Sequence, residues 1–384
     1  MGFGDSGAFG DSVPFGGAVA FGGAGGLRRI LFLSHSHAFG AFRVGSHHYA
    51  RTLARDGADV IHLSTPVSLA HRATARTDTA AVAALPRGPH INADGVTHLI
   101  PRTALPRPYG PFRVAQELSR HGLPATFDLV LLDQPLLWDA SVRALSPRLV
   151  YRPTDAYPTG VKSRLQTRIL AAADGVIATS GEVLRGLGPL SVPSLVVPNG
   201  VAAERFAGDG DSGGDTAPRP ATAVYVGALD RRFDWSRVVS WARAHPEVTF
   251  AIAGPAPAPP APLPGNIEVR GPVDYGALPT LLHSARVGLL PLSDDPLNAG
   301  RSPMKLYEYL AAGLAVVARA TPVLRPDGPT GVFTYTDAED ADAALRRALK
   351  HPSPNSAGVA RAAAESWEAK TAALVRFAEA LPIT

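Results

Sequence analysis

The residues best suited to chemistry lie close together around position 300 of this 384-residue sequence. Arg301 and Lys305 flank Ser302-Pro303, and a hydroxyl residue followed by proline at the first helical position is typical of a helix start. The helix would end at Gly313 and lead into a short buried strand. The free amides near Met304 would carry partial positive charge, so the segment favours an anionic ligand. The alternative is an ordinary helix–strand unit with a solvated cation.

Further side chains are suited to binding or to proton transfer. Glu308 lies nearly two turns into the same helix, where a carboxylate can accept hydrogen bonds from a sugar diol. Asp155 follows a predicted strand over 148–152, and open α/β sheets place ligands at the carboxyl ends of their strands. Its alternative role is to cap the next helix. His47 and His48 follow a glycine turn at a helix start, and imidazole titrates near neutral pH, so they rival Asp155 as general base.

Strand and helix patterns alternate along two long stretches, which predicts an α/β protein with two doubly wound domains. The predicted strands cover 27–34, 59–64, 127–133, 148–152 and 175–180 in the first stretch, and 223–229, 248–254, 267–271, 287–291, 315–318 and 332–335 in the second. Residues 65–113 are predicted to be irregular. We divide the chain into a disordered Gly/Phe-rich tail (1–26), an N-terminal domain (27–201), a linker (202–221), a C-terminal domain (222–365) and a final helix (366–384).

Composition excludes several classes of protein. A hydrophobic content of 46% with 18% charged residues is typical of a globular chain. No run of 18 apolar residues occurs, and there is no cysteine to form a disulfide or a metal site. The three-glycine dinucleotide fingerprint is missing after the first strand, which argues against a nicotinamide or flavin enzyme. Asp294 and Asp295 are adjacent loop carboxylates of a type usually solvated, so no metal site is predicted.

The charge is uneven along the chain. Residues 27–200 contain 19 lysines and arginines against 11 acidic residues, and the rest of the chain contains 18 against 22. The excess is either diffuse or directed at something anionic, such as nucleic acid, a phospholipid surface or a phosphate-linked acceptor. Nucleic acid is disfavoured because no basic run is interleaved with aromatics. Basic and apolar residues over 99–114 favour a peripheral position on the inner face of the cell membrane, in the cytoplasm.

Four blocks carry a resemblance to a known fold. They are VPNGV at 197–201, YVGAL at 225–229, GLLPL at 288–292 and SPMKLYEYLAAG at 302–313. Together they resemble glycosyltransferases of the GT-B fold, over residues 27–384. The resemblance implies two facing Rossmann-like domains with a nucleotide-sugar in the C-terminal one and the acceptor in the N-terminal one. It also implies no metal and no cofactor beyond the nucleotide-sugar co-substrate, and a final helix that crosses back to the first domain.

Within that fold the chain is similar to the xanthan-pathway glucuronosyltransferases, the GumK type. The similarity rests on FRVGSHH at 42–48, STP at 64–66 and the strand-end Asp155. It implies inversion at the anomeric carbon, a UDP-glucuronate donor and a lipid-diphosphate-linked saccharide acceptor at a membrane. Many retaining GT-B enzymes carry two glutamates eight positions apart. Here the second is Glu308 but the first position is Gly300, which favours inversion.

The resemblance also implies roles for single residues. Asp155 is the expected catalytic base. The expected donor-binding residues are Gly227, Arg231, Arg270, Arg301, Ser302, Met304, Lys305 and Glu308, with Arg270 beside the nucleobase and Arg231 or Arg301 facing a uronate carboxylate. The expected acceptor-binding residues are Arg43, Ser46, His47 and His48. The alternatives are a retaining GT-B transferase, a nucleotide-sugar epimerase of similar fold and an inactive binding partner.

Overall fold

The computed structural model describes residues 26–40, 43–70, 83–207, 219–255, 259 and 262–383. The predicted disordered tail lies outside the described residues except for residue 26, as does the centre of the predicted linker, 208–218. None of the described helices combines the length and apolar character that crossing a bilayer requires.

The first sheet has eight strands in the order β10-β9-β8-β7-β1-β2-β5-β4. All neighbours pair in parallel except the edge strand β4, which runs antiparallel to β5. The strands are β1 Arg29–Ser34, β2 Asp59–Ser64, β4 His90–Ile91, β5 Thr97–Leu99, β7 Leu129–Leu132, β8 Leu149–Tyr151, β9 Gly175–Ala178 and β10 Ser194–Val196; β3 Val67–Ser68 and β6 Arg102–Thr103 form a separate pair. Its helices are α1 Gly45–Arg55, α2 Val114–Arg120, α3 Gly160–Leu170 and α4 Gly181–Arg185.

The second sheet has six parallel strands in the order β13-β12-β11-β14-β15-β16, the order of a doubly wound nucleotide-binding domain. The strands are β11 Thr222–Val226, β12 Thr249–Ala253, β13 Ile267–Gly271, β14 Val287–Leu290, β15 Ala315–Arg319 and β16 Val332–Tyr335. The helices are α5 Ala203–Phe206, α6 Trp235–Ala244, α7 Leu278–His283, α8 Met304–Ala311, α9 Ala338–Lys350, α10 Ser356–Ala364 and α11 Trp367–Glu379.

Burial on both faces explains why the central strands could be predicted from sequence. Every residue of β7 and of β14 is buried, and a parallel strand covered on both sides is a continuous apolar run. Each sheet accordingly packs two apolar clusters, one on each face. The carboxyl ends of the strands therefore sit on rigid layers, and the loops that follow them are well placed to hold a site.

Two expectations about local structure are wrong. Residues 65–113 are not irregular throughout, because they contain β3 to β6, and β4 and β5 join the first sheet. Strands of two or three residues are too short to show an alternating pattern. The proposed serine cap of α8 is also wrong: the helix begins at Met304 and Pro303 occupies the N-cap position without a side-chain cap. The Ser302 hydroxyl instead accepts a hydrogen bond from the Asn199 amide at 3.0 Å.

The last helix packs against the first sheet although it follows the second in sequence. Trp367 and Leu374 of α11 lie in the same apolar cluster as Tyr49 and Leu53 of α1. The Trp367 ring is 1% exposed, meets Tyr49 edge-on at 5.2 Å and stacks on His48 at 4.7 Å. Both ends of the chain therefore contribute to one hydrophobic core beside α1.

Candidate active site between the two sheets

The cleft brings the carboxyl ends of β1 and β8 opposite the start of α8. Asp155 follows β8 in the first sheet, and its negative charge raises the pKa of Arg232 and opposes the lowering of the pKa of Arg301, both in the second-sheet half. The Ser180 hydroxyl donates to the carbonyl of Gly300 at 2.7 Å. One carboxylate and a group of cations thus face each other across the two halves of the molecule.

Arg301 and Lys305 are two half-buried cations without a carboxylate partner within salt-bridge distance among the described residues. Burial lowers the pKa of each; the charge of Glu308 opposes this at Lys305, and the charge of Arg232 lowers both further. The first turn of α8 beside them has no acidic residue and no side-chain cap. Unpaired cations next to free helix amides form a site that is ready for an anion.

Sequence reasoning missed Arg232, a third cation beside Arg301 and Lys305 that, unlike them, is paired with a carboxylate, Asp230. Its guanidinium donates to Asp230 at 3.0 Å, and this hydrogen bond raises its pKa more than burial lowers it. The neighbouring Tyr225 hydroxyl donates to the Ala228 carbonyl at 3.0 Å. The doubled arginine at 231–232 was the only signal, and the sequence does not show which of the two faces the cleft.

Arg231 and Arg270 are placed differently from Arg301. The Arg231 Nε donates to Asp295 at 2.6 Å, and its side chain is 75% exposed. The Arg270 Nε donates to Glu268 at 3.1 Å, and its side chain is 43% exposed. Both guanidinium groups are engaged by carboxylates and turned towards solvent, so neither belongs to the unpaired group.

Gly227 and Glu308 both adjoin Lys305. A Cβ atom at Gly227 would lie 2.6 Å from the Lys305 Cε, so any larger residue there would displace the lysine side chain. Glu308 is 7% exposed and makes no side-chain hydrogen bond to the described residues. Burial raises its pKa and the Lys305 charge opposes the rise. A buried carboxylate without a donor is suited to accept hydrogen bonds from a ligand's hydroxyls.

Asp155 lies half-buried in the loop after β8, within a group of polar side chains. The His35 Nε2 and the Tyr157 Oη are 3.0 Å apart, and the Lys162 Nζ lies 4.7 Å from the centre of the Tyr157 ring. Burial lowers the pKa of His35, and the charges of Asp133 and Asp155 oppose this. His35 directly follows β1, so two separate strand ends supply this group.

A buried ion pair supports the same strand ends from below. The Arg152 Nε donates to Asp133 at 2.9 Å, and the two side chains are 2% and 1% exposed. The guanidinium also lies 5.0 Å from the centre of the Tyr49 ring. Removing one partner of such a pair leaves an uncompensated buried charge, so the pair fixes the ends of β7 and β8 relative to α1.

The predicted acceptor-binding residues occupy two different depths. Ser46 is fully buried, and its hydroxyl bonds to Ser34 at 2.6 Å and to His62 at 3.1 Å. His47 accepts from the Val44 amide with Nδ1 and donates to the Ser36 carbonyl with Nε2, and burial lowers its pKa to about 3. Ser46 and His47 therefore lie inside the fold beneath the cleft, where their polar atoms are bonded to the protein itself.

Arg43 and His48 lie nearer the second half of the molecule. The Arg43 guanidinium donates to the Gly40 carbonyl at 2.8 Å, and its pKa is lowered by burial and by Arg205. His48 stacks on Trp367 and meets the Tyr275 ring at 6.1 Å. Burial and the surrounding arginines lower its pKa well below the usual range, so the ring is neutral.

The described residues contain no group of three or more histidine, aspartate or glutamate side chains placed to hold a metal ion. Asp294 and Asp295, the adjacent carboxylates, pair with Arg319 and Arg231.

The chain is similar in sequence to known glycosyltransferases. Residues 231–379 match a family described as glycosyl transferase-like. The chain is 24% identical over 232 residues to the putative teichuronic acid biosynthesis glycosyltransferase TuaH of Bacillus subtilis. That match covers 56% of this chain, and the chain spans only 56% of the length of that relative.

Solved structures resemble the whole chain. HepE of Anabaena, in complex with UDP-glucose, is 15% identical, with a TM-score of 0.63 over 92% of this chain and all of the other. A trehalose-6-phosphate structure from E. coli, bound with UDP-2-fluoro glucose, is 11% identical, with a TM-score of 0.64 over 93% of this chain and all of the other. The protein therefore has the GT-B fold of glycosyltransferases, with two Rossmann-like domains that face each other.

Proposed function

We propose that the protein is a glycosyltransferase that moves a sugar from a UDP-sugar to a hydroxyl group of an acceptor. The observation that carries the proposal is the pair of unpartnered cations, Arg301 and Lys305, beside the uncapped start of α8. A diphosphate is the anion that suits such a site, because two cations and the helix amides stabilise its charge as it leaves. The relatives named above point to the same chemistry.

The donor assignment follows from the contacts of the second half. Arg301, Lys305 and the Met304 amide hold the diphosphate, and Gly227 leaves room for the lysine beside it. Glu308 accepts hydrogen bonds from the ribose or the sugar. Arg232 joins this group as an addition to the residues expected from sequence. Arg231 and Arg270 can bind the donor only if they leave their carboxylate partners. Ser302 contributes to the donor site through its backbone and through its hydrogen bonds with Asn199.

The transfer is proposed to invert the anomeric carbon with Asp155 as general base. The acceptor hydroxyl gives its proton to the Asp155 carboxylate while its oxygen attacks the anomeric carbon. The bond from that carbon to the diphosphate oxygen breaks, and UDP leaves with the electron pair. Asp155 supports this role by its place opposite the cations. Position 300, a glycine, offers no carboxylate on the donor side.

The acceptor is proposed to be a lipid-linked saccharide or another small molecule that approaches from the first sheet, where Arg43 and His48 lie. Glucuronate is the proposed sugar, and Arg301 is the better of the two expected cations for its carboxylate because Arg231 is paired. Exposed apolar side chains near arginines on this half, including Leu105 at 48% and Tyr109 at 78% exposure, support contact with a membrane surface.

Donor binding is tested by thermal unfolding of the full chain against a panel of nucleotide-sugars. A bound donor stabilises the folded state by mass action, so UDP-sugars should raise the melting temperature and UDP-glucuronate should raise it most. No shift with any UDP-sugar would refute the proposal. NMR of the product then gives the anomeric configuration, and a retained configuration would replace the inverting mechanism by a retaining one.

Membrane contact is tested separately with sedimentation of liposomes. The protein should bind vesicles containing anionic lipid at low salt and release at high salt, because the attraction is electrostatic. Neutral vesicles are the control. Equal binding to neutral and anionic vesicles would show that the basic residues do not drive the membrane contact.

A further inference from the structure

The loop that carries Arg301 is held by the opposite half of the molecule. The Ser180 hydroxyl donates to the Gly300 carbonyl at 2.7 Å. The Asn199 backbone amide donates to the Ser302 hydroxyl at 3.0 Å, and its side-chain Nδ2 donates to the Ser302 carbonyl at 2.7 Å. Among the described residues of its own half, the backbone of residues 300–302 bonds through a long contact of 3.4 Å, from the Arg301 amide to the Asn298 carbonyl. Its conformation is therefore set mainly from across the cleft.

Asn199 contacts the start of α1 at the same time. A Cβ atom at Gly45, the first residue of α1, would lie 2.9 Å from the Asn199 Oδ1, so glycine is required for the amide to fit. The chain beyond Asn199 is fixed as well, because the Val201 amide donates to the Glu365 carbonyl at 3.0 Å. One side chain thus joins the starts of α1 and α8 from a rigid position.

Gly300 is part of the same contact. A Cβ atom there would lie 3.1 Å from the Val183 Cγ2 and 3.5 Å from the Glu182 Cβ, both in α4 of the first half. A longer side chain at this position would press the two halves apart. Glycine at 300 is therefore explained by close approach of the loop to the first half.

We propose that Asn199 is a positioning residue for the donor site, acting through Ser302 on Arg301 and Lys305. The inference rests on the proposed function, because it assigns these cations to a diphosphate. Asn199 touches no reacting atom. Its two hydrogen bonds fix the loop so that the unpaired cations converge, and the first half of the molecule thereby controls diphosphate affinity in the second.

The test compares binding of UDP and of uridine by calorimetry in the full chain. Asn199→Ala should weaken UDP about tenfold, as loss of the side-chain hydrogen bond loosens the loop, and should change uridine less than about twofold. Asn266→Ala is the matched control, because its Nδ2 donates to Ala242, His245 and Val248 entirely within the second half. It should leave the ratio of the two affinities unchanged.

A double-mutant cycle with Arg301→Ala identifies the path of the effect. Because Asn199 is proposed to act through Arg301 as well as Lys305, the loss of UDP affinity in the double variant should be smaller than the sum of the two single losses. Additive losses, equal losses of UDP and uridine, or an unchanged UDP affinity in folded Asn199→Ala would each overturn the inference. Ser180→Ala, like Asn199→Ala, removes one of the three bonds across the cleft, together with the Ser180 cap on the Val183 amide, and replaces Asn199→Ala if that variant does not fold. Absence of UDP binding by the unaltered protein would instead refute the proposed function.

Discussion

The two sides of the cleft differ in how their polar groups are satisfied. On the side of the second sheet, Arg301 and Lys305 have no carboxylate within salt-bridge distance among the described residues, and Glu308 makes no side-chain hydrogen bond to them. On the side of the first sheet, Ser46 bonds to Ser34 and to His62. The first arrangement is incomplete without a ligand, whereas the Ser46 hydroxyl of the second already has its protein partners.

The difference indicates that the second-sheet side supplies binding energy for a ligand and that the first-sheet side supplies rigidity. Unpaired groups with lowered or raised pKa values carry a cost that a bound donor can remove. Bonded groups beneath the other side hold α1 and the ends of β1 and β2 in place. The half-buried Asp155 of that side then acts on a fixed support. Four predictions test this comparison.

The largest effect is expected for Asp155→Asn. A general base contributes about 10²- to 10⁴-fold, so kcat should fall roughly a thousandfold while the affinity for the UDP-sugar stays within about twofold. The measurement is steady-state kinetics with calorimetry of donor binding. Asp94→Asn, a surface carboxylate of the same half paired with Arg55, is the control and should retain activity. A normal kcat in Asp155→Asn would assign the base elsewhere.

Arg301→Ala and Lys305→Ala should each weaken UDP about 10- to 100-fold, because each removes a charged hydrogen-bond donor from a partly desolvated site. Arg231→Ala should change the affinity less than about twofold, since its exposed pair with Asp295 contributes little. Calorimetry with UDP measures all three. A loss in Arg231→Ala as large as in Arg301→Ala would return Arg231 to the donor site.

Tyr157→Phe tests the support of the catalytic loop. It removes the oxygen that bonds to His35 at 3.0 Å and keeps the ring beneath Lys162. We expect kcat to fall about fivefold with an unchanged KM for the donor, because one hydrogen bond contributes about 1 kcal/mol. Tyr151→Phe is the control, since its hydroxyl bonds to Gln166 at 2.9 Å away from His35. Equal kcat values in the two variants would show that the hydrogen bond between Tyr157 and His35 does not specifically support catalysis.

The last prediction concerns the acid stability of the first half. Burial lowers the pKa of His47 to about 3 and of His98 to about 4, so the native protein resists protons that the unfolded chain takes up below about pH 6.5. The free energy of unfolding should be highest above about pH 6.5. It should decrease towards pH 4, by up to about 1.4 kcal/mol per pH unit for each histidine. Urea unfolding at several pH values measures it.

His98→Gln removes one of these groups and should flatten the decrease. An identical pH dependence in the variant and the unaltered protein would show that His98 is not one of the responsible groups.

Much of the fold could be predicted from the sequence because buried parallel strands are local apolar runs. The strands β1, β2, β7, β11, β12 and β14 to β16 were predicted to within a few residues for this reason, whereas the edge strand β13, also predicted, is not buried. The short strands β3 to β6 were not, because their pairing depends on partners and leaves no pattern. The cap of α8 failed for a similar reason: Ser302 bonds to a residue 103 positions earlier instead of to its own helix.

The sequence by itself determined two doubly wound sheets and a cationic helix start at Arg301 to Lys305, since both depend on neighbours within a few residues. Only the tertiary structure decided which arginines are free. Arg231 and Arg301 are alike in sequence, but a carboxylate holds the first in solvent and the cleft shields the second. The tertiary structure also decided the roles of His35 and Asn199, whose hydrogen-bond partners lie 122 and 103 residues away. Pairing and burial of this kind arise from contacts that the local sequence does not contain.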